Sequence, residues 1–408
     1  MNRKVFICLL PLFVLYCIAF AFLAGKTIDF GDEVRYAMFA ENLTKGFYAP
    51  PDTMMLWNGP GYPLLLAPFA YFHIPWIYAK MLNPVFIFIA VCLFFSVIRN
   101  FTREKTAVFF AYLFGLYPPF LAEMQYLLTE PFSLMLMSLF ALLCWKWFAN
   151  RKTAYAVLAA LVFALVALTK VFFGYVALCV LLVSLATCRW KQTMKMALPV
   201  YAGALLFCAP YLFYTWHLTG KIFYWANSGG STLYWMASPD SNDFGSWFTD
   251  KDVLTRPELA YHRPFFEKLQ GLNFVEQDRL LKQKAFENAL HHPKKVLLNY
   301  VSNLGRLFLN FPFSYKYQRP QTLLYTMPNC LILAAIVFSI YPLIKLRKFL
   351  PRAVFHACVL SVVVLGGQSM TYAEARYLCP ILPFIFIVIV YVGTNLIKVG
   401  TPSQEMPS

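Results

Sequence analysis

The chain has 408 residues, 60% of them hydrophobic and only 13% charged, with a formal net charge of +16. Apolar residues gathered in long runs exclude an ordinary water-soluble protein and make lipid the expected solvent. No nucleic-acid-binding motif accompanies the basic charge. Most Lys and Arg outside one large loop fall in short clusters between apolar runs, the pattern of cytoplasmic membrane loops rather than of a DNA-binding face.

The N-terminal run "VFICLLPLFVLYCIAFAFLAG" is longer than a signal-peptide core and lacks a good small-residue cleavage pattern, so it reads as a retained first span. Further spans are expected near 78–98, 106–121, 127–147, 153–170, 172–188, 197–216, 322–345, 353–371 and 378–397, about ten in all with 5–25. An even count puts both termini on one side. The basic clusters at 2–4, 99–105, 151–152, 189–195 and 345–352, with Lys398, all fall on that same face, which is therefore the expected cytoplasmic one. The expected fold class is an all-α polytopic membrane protein: one unit over 1–398, with external segments at 26–77 and 217–321 and a short flexible tail at 399–408. "YPLLLAPFAYF" at 62–72 is too short to span and suits the interface, and 274–311 carries polar and apolar residues at helical spacing. The cysteines (Cys8, Cys17, Cys92, Cys144, Cys179, Cys188, Cys208, Cys330, Cys358 and Cys379) lie in or beside apolar runs, so neither a disulfide framework nor a metal site is indicated.

Sorting ionisable residues by face is more informative. Asp32 and Glu33 follow the first span, Lys80 opens the second, Glu123 closes the third and Glu130 opens the fourth. Lys170 lies between the fifth and sixth, and Glu374 and Arg376 lead into the tenth. All fall on the external side. A charge near hydrocarbon is costly unless paired or facing a wet cavity, so acids and bases from several spans suggest one polar site opening at the outer leaflet. Each also has a plainer reading: edge charges snorkel to headgroups, and Asp32 could simply cap the next helix. Lys170, Arg376 and Lys80 suit a lipid-borne phosphate, which calls for charge-assisted bonds. A carboxylate among Asp32, Glu33 and Glu130 could take the proton of an attacking hydroxyl. Asn58, Tyr62, Glu123, Tyr224, Trp225, Tyr234, Trp235 and Tyr377 are candidate substrate contacts. The aromatics among them offer flat apolar faces with polar handles, or belong to an interfacial belt. A divalent metal at Asp32 and Glu33 stays open, because no ligand spacing specifies one. His291-His292-Pro293 reads as a helix-end cation feature rather than a zinc site.

Several segments carry a resemblance. "DEVRYAMFAENL", "NGPGYPLLLAPF", "YLLTEPFSLML", "ALTKVFFGY", "ANSGGSTLYWMASP", "EQDRLLKQKAFENALHHPKK" and "EARYLCPILP" occur in the order found in GT-C membrane glycosyltransferases. The chain resembles their dolichyl-phosphate-mannose protein mannosyltransferase and aminoarabinose transferase superfamily over about 30–390. The resemblance implies a polyprenyl-phosphate sugar donor and a site on the external or periplasmic face of an inner (plasma) membrane. It makes Asp32 the essential carboxylate, places Glu130 as an acid near the site, and puts Lys170 and Arg376 at the donor phosphate. Two departures stand out. Asn58 occupies the place of a lysine that aminoarabinose transferases carry in a "KPP" stretch, which puts lipid A as acceptor in doubt. The chain is also shorter than those enzymes, with no evident soluble C-terminal domain. The acceptor is then a hydroxyl of a glycan, lipid or protein, and nucleic acid is not a partner. Competing readings are a flippase or transporter of lipid-linked sugar, an oligosaccharide ligase using a diphosphate-linked donor, and a non-catalytic scaffold. A transporter is expected to show internal repeats and a midplane site. Neither is visible here. The glycosyltransferase reading requires Asp32, Lys170 and Arg376 to converge.

Overall fold

The computed structural model describes residues 3–28, 31–187, 191–316, 318 and 320–397. Cys188, Arg189, Lys398 and the expected tail at 399–408 lie outside the described residues. Within them every regular element is a helix. That follows from the composition: in hydrocarbon each backbone N–H and C=O must be satisfied within its own segment, and a helix does this while exposing only side chains.

By length and composition five helices can cross a bilayer: Arg3–Leu23, Trp76–Ile98, Glu130–Asn150, Leu323–Lys345 and Arg352–Ser369. The pair Gln192–Phe207 and Ala209–Thr219 makes a sixth when its two halves, bent by 45°, are counted together. Pro210 lies at the bend, where its ring removes a helical donor and clashes with the preceding turn. Three more apolar helices, Thr153–Thr169, Phe172–Thr187 and Leu382–Leu396, are shorter. The chain is an integral membrane protein. The span expected at 106–121 takes a different form. Helix Glu104–Gly115 stops before Pro118 and Pro119, and Pro118–Glu123 restarts as a separate short helix. Twelve residues reach only about 18 Å, well short of a hydrocarbon core of about 30 Å.

The two segments expected outside the membrane hold regular elements of their own. The first holds Gly31–Thr44 and Gly61–Tyr71; the second holds Gly229–Met236, Phe274–His291 and Pro293–Leu309, among shorter turns. The helical periodicity at 274–311 resolves into two helices divided at His292-Pro293, with His291 Nδ1 2.7 Å from the Glu287 carbonyl. Buried apolar residues form one large cluster through the spans and a smaller one in the second external segment, around Trp235, Phe248 and Phe266. Large apolar side chains such as Phe22, Leu206 and Phe338 stay exposed, as lipid solvation allows.

Candidate functional site

Asp32 stands in the first turn of Gly31–Thr44, where a carboxylate favours the exposed N–H groups of a helix start. Three residues on, Arg35 reaches back to pair with Asp32 Oδ1. The other oxygen, Oδ2, accepts from Arg376 Nη2 at 3.0 Å, across 344 residues of chain. Arg376 lies in a single turn, Ala375–Leu378, between two spans. Its Nε donates to Glu374 at 2.7 Å, and the Tyr372 hydroxyl donates to the second oxygen of Glu374 at 2.5 Å.

Glu130 opens helix Glu130–Asn150 and accepts from Lys170 Nζ at 2.9 Å. Lys170 ends helix Thr153–Thr169. The Tyr377 ring joins the two halves of the cluster: Lys170 Nζ stands 5.2 Å and the Arg376 guanidinium 5.4 Å from its centroid. Four elements distant in sequence thus deliver three cations and three carboxylates to one place. Asp32, Lys170 and Arg376 keep partial access to solvent, at 20%, 17% and 13%, while Glu130 is buried behind Lys170.

The "WNGPGYP" turn closes one side. A Cβ on Gly59 would lie 2.1 Å from the Leu168 carbonyl oxygen, and one on Gly61 would lie 2.6 Å from the Thr169 hydroxyl. Only glycine lets this turn press on the end of the helix that presents Lys170. The approach brings Asn58 Nδ2 to 3.2 Å from the Tyr36 hydroxyl, and the Tyr62 ring meets Tyr36 edge-on at 5.2 Å. On another side Glu123 accepts from the Tyr325 hydroxyl at 3.1 Å.

The charges act on one another. Burial pushes the Asp32 carboxyl upward, but Arg376, Arg35 and Lys170 outweigh it and hold Asp32 below the usual carboxylate range. Glu123 goes the other way. Burial, reinforced by the charge of Glu130 and only partly offset by Arg376, pushes it up to about 7.

This fold has counterparts among solved structures. The archaeal oligosaccharyltransferase AglB from Archaeoglobus fulgidus, in complex with an inhibitory peptide and a dolichol-phosphate, overlaps 94% of this chain at 15% identity with a TM-score of 0.52. Its apo form overlaps likewise, with a TM-score of 0.53. The fold is of the GT-C type. The chain spans about half the length of AglB, since the overlap covers 50% of that protein. ArnT from Cupriavidus metallidurans bound to undecaprenyl phosphate overlaps more loosely, at 12% identity and a TM-score of 0.43, over 94% of this chain and 77% of that one. No protein-family model matches the chain, and no curated protein matches it.

The remaining sequence candidates lie elsewhere in the GT-C scaffold. Glu33 turns away from its neighbour. It pairs with Lys80 at 2.9 Å and accepts from the Leu127 N–H at 2.7 Å, while Lys80 also donates to the Thr27 carbonyl at 2.8 Å. Both side chains are at most 3% exposed. Lys80 therefore does not join Lys170 and Arg376. Tyr224, Trp225, Tyr234 and Trp235 are buried in the external segment and its seam with the membrane bundle. Tyr224 donates to Asp278 at 2.8 Å, Trp235 Nε1 donates to the Phe248 carbonyl at 3.2 Å, and Tyr234 bonds His262 at 2.8 Å. Trp225 packs so closely on Gly174 that a Cβ there would meet its ring at 2.4 Å. These packed rings present no open face for a sugar.

Asp32 and Glu33 each hold cationic side chains, and they point to different partners rather than to a shared ion. Among the described residues, a group of three side chains spaced to hold a metal occurs elsewhere, at Asp240, Asp243 and His262. A cavity of about 820 Å³ also lies away from the cluster, lined by Arg99, Phe101, Arg103, Glu104 and Thr394 among others. Arg35, Tyr36 and Tyr325 are not among the sequence candidates, and Glu374 is sorted there with the external-side charges but given no role. Arg35 and Tyr36 stand within four positions of Asp32, and Tyr325 is a hydroxyl at the start of an apolar helix. Both are signals that a closer reading of the same segments carries.

Proposed function

We propose that the protein is an inverting glycosyltransferase, moving a sugar from a polyprenyl-phosphate donor to an acceptor hydroxyl at the outer face of the membrane. The observation that carries this reading is the convergence of Asp32, Arg376, Glu130 and Lys170 from four separate elements. The GT-C fold adds to it, as does the dolichol-phosphate bound to AglB.

Arg376 and Lys170 are neutralised by protein carboxylates. A donor phosphate competes for those cations, since charge-assisted bonds to phosphate are as favourable as those to carboxylate. As Arg376 turns toward the phosphate, Asp32 loses a partner that held its proton affinity down and becomes a better base. Asp32 then takes the proton of the acceptor hydroxyl while that oxygen forms its bond to the anomeric carbon. The bond from anomeric carbon to phosphate oxygen breaks, and its electron pair leaves on the polyprenyl phosphate, where Arg376 and Lys170 stabilise the charge. Attack opposite the leaving group inverts the centre. No covalent enzyme intermediate is needed. Asn58 and Tyr36 line the same face and suit sugar hydroxyls, while Glu33 and Lys80 hold the first external helix against the bundle.

A second reading draws on the oligosaccharyltransferase neighbour: an oligosaccharide ligase that uses a diphosphate-linked donor. Purified protein incubated with polyprenyl-phosphate sugar and an acceptor should release polyprenyl phosphate and glycosylated acceptor, and Asp32→Asn should slow the release of both by about 10²–10⁴-fold. Turnover only with a diphosphate-linked oligosaccharide would establish the ligase instead. Full activity of Asp32→Asn, with the protein normally folded, would reject the base.

A further inference from the structure

The rings between 224 and 235 are sealed, but another set, linked to Asp32 through Arg35, is not. Trp57, Trp247 and Phe274 are each only half-buried. Trp57 meets Trp247 and Phe274 steeply, edge to face, with centroids 6.3 and 6.1 Å away. The Arg35 guanidinium lies 5.6 Å from the Trp57 centroid while it pairs with Asp32 Oδ1. The turn that carries Trp57 is clamped on both sides of the ring. The buried Asn227 side chain accepts from the Leu56 N–H at 3.1 Å and donates to the Met54 carbonyl at 2.7 Å, and its backbone N–H donates to the Leu56 carbonyl at 3.1 Å. The Phe274 N–H donates to the Thr53 carbonyl at 3.2 Å, and the Tyr48 hydroxyl donates to the Asn58 carbonyl at 2.7 Å. Trp247 is fixed by its own Nε1, which donates to the Ser231 hydroxyl at 2.8 Å. Rings held this firmly yet incompletely covered lose little freedom when a ligand packs on them.

Two polar atoms beside Trp57 lack partners. Arg35 Nε and the Asn58 side-chain oxygen are both buried without a hydrogen bond, although the other end of the Asn58 amide is engaged with Tyr36. A donor and an acceptor left unmet around one indole fit a ligand that offers an apolar face together with groups that both give and take hydrogen bonds. A pyranose ring has that chemistry: its C–H face is apolar and its hydroxyls donate and accept.

We infer that Trp57, Asn58 and Arg35 form the acceptor subsite, and that the acceptor is a carbohydrate whose ring stacks on Trp57. The inference rests on the transfer reaction proposed above, in which the donor phosphate sits at Arg376 and Lys170. Attack opposite the leaving group puts the acceptor on the far side of the anomeric carbon from that phosphate. Asp32 turns Oδ2 to Arg376 and Oδ1 to Arg35, so the base already faces both sides. On binding, the sugar ring takes the place of the guanidinium over the indole. Arg35 keeps its pair with Asp32, its uncovered Nε donates to one acceptor hydroxyl, and Asn58 accepts from another.

The test uses the full chain in lipid nanodiscs without donor, so that its outcome does not depend on turnover. Labelled protein is applied to arrays of glycans and of serine- and threonine-containing peptides, and the affinity for the best glycan is measured by calorimetry. Binding to glycans and not to peptides is expected. Trp57→Ala should weaken it by about 10-fold and Asn58→Ala by about 3–10-fold, while Trp57→Phe should keep most of it. In transfer assays Trp57→Ala should raise the acceptor KM by a similar factor and leave the donor KM as it is, a split that a merely structural ring would not produce. Asn58→Ala decides the matter if Trp57→Ala fails to fold. Binding to no glycan, or to peptides instead, overturns the inference and leaves the transfer reaction to its own test. So does glycan binding that is indifferent to both Trp57→Ala and Asn58→Ala. Glycan binding that depends on Trp57 in a protein that transfers no sugar would keep the carbohydrate site and remove the transfer reaction.

Discussion

Asp32 and Glu33 are adjacent in the chain, yet they serve two regions of opposite character. Glu33 meets Lys80 where water is excluded, and the remaining bonding capacity of the pair goes to backbone groups of Leu127 and Thr27. Asp32 meets Arg35 and Arg376 where each side chain keeps 13–24% of its exposure, and Arg376 is shared with Glu374. The first arrangement is closed: a buried pair of good geometry with its other bonds satisfied has no reason to rearrange, and losing one member strands a charge. The second is open and its members share partners, Asp32 between two arginines and Arg376 between two carboxylates, so an incoming phosphate can take one partner of Asp32 while the other stays. Burial separates a structural ion pair from a reactive one here. Residue type does not.

That contrast can be broken most directly at the two acids. Asp32→Asn should lower sugar transfer by about 10²–10⁴-fold, the usual contribution of a general base, with little change in thermal stability. Glu33→Gln should do the reverse, destabilising the fold by about 3–5 kcal/mol in thermal or denaturant unfolding while any folded fraction keeps its turnover. Replacing Glu33 and Lys80 together by apolar residues should recover most of that loss; equal damage from the double and single variants would show that the pair is not coupled. Lys170→Met should raise the donor KM by about 10–100-fold, the worth of a charged hydrogen bond of about 1.5–3 kcal/mol, and affect the acceptor KM less. The opposite kinetic split would remove Lys170 from the phosphate.

The smallest effect concerns pH. Glu123 is raised from its ordinary 4.5 to about 7, so between those values the folded state holds a proton that the unfolded state releases. Its contribution to stability therefore falls as pH rises from about 4.5 to about 7 and is flat above, a slope that Glu123→Gln should erase. Asp32, lowered from 3.8, works in the other direction: its contribution is intact above that value and is lost only as pH falls below it. An unchanged profile in Glu123→Gln would mean that Glu123 is not protonated in that window.

Much of the architecture was legible residue by residue. The apolar runs became helices, and the breaks fall where the chemistry demands, at Pro118-Pro119, Pro210 and His292-Pro293. The candidate site was legible in part, because a charge that interrupts a lipid-facing run needs an explanation: Glu130, Lys170 and Arg376 announced themselves this way. The aromatic stretch at 220–239 misled for an equally plain reason. Trp and Tyr look alike in sequence whether they face a sugar or fill a core, and Tyr234 and Trp235 fill one.

By itself the sequence determined the solvent, the helical class and the pool of charges at the ends of the apolar runs, since apolar length and local periodicity are properties of neighbouring residues. Only the tertiary structure decided which charge meets which. Glu33 and Lys80 were drawn together into the dry interior, and Asp32 was left to Arg376, 344 positions away. Pairing at that separation depends on how helices pack, and no local signal in a chain encodes it.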